Sequence, residues 1–336
     1  MTISSTTTNA PRSHPIVGLR ARLALAALVV PLGFGAAACK GGLTDSPTTT
    51  VPPTEVIVIE GRPLRRRNGR LRRARSRRTH GRLTDRQALS LRAPERAALA
   101  EHWRNQGELE HASVVAFNDL AHRLAIVDAP DELLRRAVRA ADQEANHARL
   151  CFELAGRYLG ETVQAGRLRR PRRMPRSRAS ELAQLAVESL RDGVLNEGYA
   201  AWLAVGKAER ATDDRVRDVL QVIARDEAQH AALSADVLAW CIAEGGEPVG
   251  DAVVAAAREL PTRMFESPIP GDVDASTLAD HGMFNVDDSG DGYAEVLRAT
   301  VEGFVPGEFR GWSRRVVRIV LLEYPTRGSC VAVHSV

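Results

Sequence analysis

Two short stretches, EANH at 144–147 and EAQH at 227–230, each set a glutamate and a histidine three residues apart in the middle of an apolar helical stripe. The i, i+3 spacing puts both side chains on one helix face, and an apolar stripe is the face a helix buries. Burying an ionised carboxylate without a partner is costly. Two such pairs therefore restrict the chain to folds in which long helices turn these faces toward a shared, charge-compensating core.

The stripes can be followed by steps of three and four. One runs Leu133, Ala137, Ala140, Glu144, His147, Cys151, and the other Leu220, Ile223, Glu227, His230, Ser234, Val237. Two further stripes each carry a single mid-helix carboxylate: Glu110 between Trp103 and Phe117, and Glu197 between Val194 and Ala201. A third Glu–His pair, Glu108 with His111, points away from its own stripe at about 100° per residue and is left out of the set.

Periodicity predicts four long helices, about Pro94 to Val127, Pro130 to Leu159, Ser180 to Arg210 and Asp213 to Glu244, with a shorter helix from Asp251 to Leu260. The first two and the last two are joined by a few residues, so each pair is expected as an antiparallel hairpin. The link between the hairpins can extend to about 60 Å and recross a helix about 45 Å long. The expectation is an all-α, ferritin-like four-helix bundle of two hairpins with one long crossover and an extra C-terminal helix.

Four buried carboxylates repel one another, and two divalent cations would balance them while the neutral imidazoles complete each shell. The candidate ligands are Glu110, Glu144, His147, Glu197, Glu227 and His230. Carboxylate oxygens with one histidine per ion suit iron or manganese, and the lack of cysteine ligands argues against structural zinc. The competing reading is a set of buried ion pairs without metal.

The stretches LEHASVVAF, EANHARLCF, LNEGYAAWL and DEAQHAAL resemble the ferritin-like di-iron carboxylate superfamily over about 95–245. The likeness is to single-chain ferritin-like domains of bacterial secreted lipoproteins, and more distantly to the tRNA hydroxylase branch. It implies that Glu144 and Glu227 bridge two metals, with Glu110 and His147 completing one site and Glu197 and His230 the other. It also implies that Asp226 orients a ligand histidine. Gln143 holds the matching place on the second helix, with Asp142 beside it as a substitute. The implied activity is an oxidoreductase reaction of a di-iron centre with dioxygen or peroxide. A non-catalytic iron binder and a structural surface protein with a vestigial site are the alternatives.

Arginines followed by a short apolar stretch and GAAAC read residues 1–39 as a lipoprotein-type signal with Cys39 as the lipidated residue, plain secretion and an uncleaved anchor being the alternatives. Residues 40–93 are expected as a disordered tether and an Arg-rich arm; eleven arginines and no acid lie between Arg62 and Arg82. Without those eleven the formal net charge of +4 becomes negative, so the basic balance belongs to the arm. The arm suits an anionic membrane surface better than nucleic acid, or it is a solvated linker. This places the protein outside the cytoplasm, held to a bacterial membrane, as a monomer or dimer. The bundle is assigned to 94–260 and a C-terminal extension to 261–336. In that extension VDDSGDGYAEV is expected as a polar loop, because Arg298 stands where a calcium loop needs its closing glutamate. Cys151 and Cys241 are expected in the core rather than in a disulfide.

Overall fold

The structure is a computed structural model that describes residues 61–65, 70–82, 88, 90–168, 176–261, 272–283 and 286–302. The signal, Cys39 and the tether as far as residue 60 lie outside the described residues, as do residues 169–175 and 303–336. Helix accounts for 78% of what is described, which makes the class all-α with a single two-stranded ribbon.

The first hairpin is α1 (Ala93–Ile126) and α2 (Asp131–Leu159). Pro94 occupies the first turn of α1, where its missing N–H costs nothing. Gly160, at φ 71°, closes α2 in the left-handed conformation. Gly107 faces Phe152 so closely that a Cβ would come within 2.7 Å of the ring, while Glu110 faces His147, so the two helices run antiparallel.

The third predicted helix is continuous but not uniform. It comprises α3 (Arg178–Glu188), a π-helical segment Ser189–Leu195, and α4 (Asn196–Arg210). It packs antiparallel on α5 (Asp214–Arg258), where a Cβ on Gly193 would lie 2.2 Å from Ser234 Oγ. Asp213 starts α5 by accepting the Val216 N–H at 3.0 Å. At Gly246 the backbone leaves the helical region (φ 63°, ψ −151°), so the expected stop near Glu244 is present as a kink. The short helix expected over 251–260 is the continuation beyond that kink and ends at Arg258. Across the two hairpins α2 and α5 also run antiparallel: Arg136 meets Asp236 at 2.5 Å, and Arg157 meets Asp213 at 2.7 Å.

Three expectations are corrected. The Arg-rich arm is not a disordered tether throughout. Arg62 and Leu64 are each only 4% exposed, and β1 (Ser76–Arg82) pairs antiparallel with β2 (Glu161–Ala165) inside the crossover. The crossover is therefore half of a ribbon rather than a featureless link. The segment expected as a polar loop is α7 (Val286–Glu302), following the short α6 (Ala275–Asp280). Tyr293, Val296 and Thr300 are buried at helical spacing, and Gly292 lies flush against the Trp202 ring of α4.

The excluded Glu108–His111 pair fastens the ribbon to α1. Glu108 Oε1 accepts the Ser76 N–H at 2.8 Å, the Ser76 hydroxyl at 2.6 Å and Arg104 Nη1 at 2.8 Å, while His111 Nε2 donates to Gly166 O at 3.1 Å. Glu108→Ala leaves these donors unmet and is expected to lower stability by about 1–3 kcal/mol in urea unfolding with metal binding unchanged. A loss of metal in that variant would contradict the separation of ribbon and core.

Cys151 and Cys241 are both buried thiols, not joined in a disulfide, as core residues are. Among the described residues no helix is long and apolar enough to cross a membrane.

Candidate metal centre

Each helical segment delivers its polar residues to one point because the apolar stripe that carries them is the buried face. Glu110 comes from α1, Glu144 and His147 from α2, Glu197 from the first turn of α4, and Glu227 and His230 from α5. All six are buried, the most exposed being Glu110 at 6%. Glu110, Glu144, His147 and Glu227 offer ligand atoms within 4.8 Å of one another, and so do Glu144, Glu197, Glu227 and His230. Glu144 and Glu227 belong to both groups.

The histidines are turned so that their two nitrogens do different work. His147 Nε2 donates to Asp226 Oδ2 at 3.2 Å, and His230 Nε2 donates to Gln143 Oε1 at 3.1 Å. Each partner comes from the opposite helix, so the imidazoles are held crosswise between α2 and α5. These bonds leave the Nδ1 atoms facing the carboxylates. His147 Nδ1 is 3.4 Å from Glu227 Oε1 and 3.7 Å from Glu110 Oε2, and His230 Nδ1 is 3.3 Å from Glu144 Oε1. Asp142, expected as a substitute partner, is exposed, and Gln143 makes the contact instead.

The ligand atoms fit a metal because, among the described residues, most of them have no hydrogen-bond partner. Both oxygens of Glu144, Glu197 and Glu227, Oε2 of Glu110 and Nδ1 of both histidines are buried without a hydrogen-bond partner. Buried polar atoms are nearly always paired, and so many orphans within ligand distance of one another could hold a cation. Burial, then the Glu227 and Glu110 charges, holds the Glu144 carboxyl well above the usual carboxylate range. Burial and the Glu227 charge do the same to Glu197, with Arg62 pulling the other way. Burial would also raise Glu227, but Glu197 and the two imidazoles outweigh it and hold this carboxyl low. A protein core that must keep some of these carboxyls protonated is a core that a divalent ion would stabilise.

No protein-family model, no curated protein and no solved structure matches this chain.

Three features were not foreseen. The π-helical segment ends immediately before Asn196, so its wider turn sets the phase at which Glu197 enters the core; π segments recur at functional sites. Arg62 lies in the same core. Its Nη1 donates to Ser234 Oγ at 3.3 Å, its backbone carbonyl accepts the Ser113 hydroxyl at 2.8 Å, and its guanidinium carbon sits 5.4 Å over the Phe117 ring. Burial lowers its pKa against the pull of Asp192, Glu188 and Glu197, as expected of a cation set into a low-dielectric core. A buried network of Arg123 with Glu181 and Glu188 ties α1 to α3 near by.

Proposed function

We propose that the chain is a ferritin-like four-helix-bundle protein that binds two divalent metal ions, iron or manganese, and works as an oxidoreductase. The observation that carries this reading is the six-residue cluster with its orphaned donor atoms. When bound, the pair of ions would supply a place at which dioxygen or peroxide is reduced. The chain's own residues do the rest. Glu144 and Glu227 would be shared by both ions, Glu110 with His147 would hold one, and Glu197 with His230 the other. Asp226 and Gln143 fix which imidazole nitrogen faces inward. The apolar residues along the four stripes keep bulk water from the carboxylates, so that their charge falls on the ions rather than on solvent.

The location follows the sequence reading: outside the cytoplasm, held to a membrane through Cys39 and the basic N-terminal region. A non-catalytic metal binder shares every residue of this site, and turnover separates the two. The full chain, loaded with ferrous iron without air, is expected to hold two irons and to change its optical spectrum on addition of oxygen, and to do so again after each anaerobic re-reduction with dithionite. A single cycle would reduce the reading to metal binding, and no bound iron or manganese would end it.

A further inference from the structure

We propose that the two ion positions are unequal by construction. The one at Glu110 and His147 retains its ion, and the one at Glu197 and His230 is the weaker, exchangeable position through which divalent cations enter. The inference rests on the two-metal reading above, and separate observations point to it.

The first is the pair of histidine partners. His147 is backed by a carboxylate, Asp226 at 3.2 Å, whereas His230 is backed by a neutral amide, Gln143 at 3.1 Å. A carboxylate behind an imidazole raises its basicity as a ligand, and such outer partners commonly change metal affinity by about 10- to 100-fold.

The second is Arg62, a buried cation whose charge is felt at Glu197. The neighbouring Gly61 lies close to Glu197: a Cβ there would be 3.8 Å from Glu197 Oε2. The Arg62 guanidinium stands over Phe117, whose ring is 4.8 Å from that of His230. A buried cation there repels a divalent ion at Glu197 and His230, in a medium that screens the repulsion poorly.

The third is access. A cavity of about 300 Å³ between α2 and α5 is lined by Gln143 and His230. Glu132, Arg139 and Gln229 on its rim are exposed. Beside Glu110 the space is smaller, about 20 Å³ lined by Trp103, Gln106, Lys207, Leu220 and Ile223, room for about one water. The weaker position thus adjoins the route from solvent, and Gln143 stands between the two.

The test is an anaerobic calorimetric titration of the full, metal-free chain with Mn(II), which does not oxidise under these conditions. Two ions are expected in two steps separated by about tenfold or more in affinity. Glu197→Gln should remove the weaker step and Glu110→Gln weaken the tighter one. Gln143→Glu, nearly isosteric, should tighten the weaker step until the two approach each other, and Arg62→Met should do the same while Arg62→Lys keeps them apart. If Arg62→Met unfolds the chain, the Gln143→Glu and Arg62→Lys titrations decide. Two equal steps in the parent, or a weaker step that Gln143→Glu leaves in place, would overturn the inference and leave the metal site intact. Binding of no Mn(II) would instead remove the reading on which it rests.

Discussion

Replacing Glu144 and Glu227 together by alanine is expected to abolish binding of both ions while leaving the chain folded. Each of these residues belongs to both ligand groups, so the double variant leaves only Glu110 with His147 on one side and Glu197 with His230 on the other. Either single replacement leaves three residues in each group and should weaken binding without ending it. The metal-free state should not lose stability as it would in an ordinary core truncation. Removing a buried side chain of this size costs about 2–5 kcal/mol through lost contacts and cavity. At Glu144 it also removes a desolvated carboxyl crowded by the Glu227 and Glu110 charges, a penalty of several kcal/mol. The metal-free variant is therefore expected to be about as stable as the metal-free parent. The parent alone should gain on loading, by roughly 2.7 kcal/mol per ion at a hundredfold excess over Kd. Thermal unfolding with and without Mn(II), alongside metal analysis, checks both halves. A variant that still carries two ions would mean that the cluster is not where they bind.

The six cluster residues were legible in the sequence because helical spacing and burial act together: a carboxylate in mid-stripe has nowhere to go but the core. The hairpins were legible for the same reason, with Gly160 and Asp213 marking a stop and a start. Arg62 was not. It sits 172 positions from Ser234, its partner, and among arginines that composition reads as solvated. The β1–β2 ribbon lacked the alternation that marks a half-buried strand, since Val163 and Ala165 are its apolar contacts with the core and Glu108 and His111 hold its end. Residues Val286–Glu302 form a helix in spite of two glycines and three aspartates, because tertiary packing of Gly292 on Trp202 and of Tyr293 against Tyr199 overrides weak propensity. The π turn gave no signal at all, because α4 is buried on nearly every side and its phase leaves no trace in the pattern.

The metal-free protein is expected to lose stability as pH rises from about 5 to 8, and loading with metal should remove that trend. Burial and neighbouring charge hold Glu144 and Glu197 well above the 4.5 of an ordinary glutamate. Between that value and their raised ones, the folded chain binds more protons than the unfolded chain, so stability falls with rising pH. His147 adds to the trend: burial alone would lower it, but Asp226, Glu110 and Glu227 outweigh burial and hold it well above 6.5. Its contribution is present below 6.5 and is lost as pH climbs toward the folded value. Glu227 and Asp226 are shifted down instead. Their contribution is lost only as pH falls below about 4, outside the window. Each group that stays protonated steepens the decline by about 1.4 kcal/mol per pH unit. Bound ions require these carboxyls ionised and the imidazoles neutral, so they displace the same protons and remove the decline. Urea midpoints of metal-free and Mn(II)-loaded protein across this range measure it directly. A flat metal-free curve would show that the carboxylates ionise as freely as surface groups, and a core that tolerates them charged would have no need of a metal.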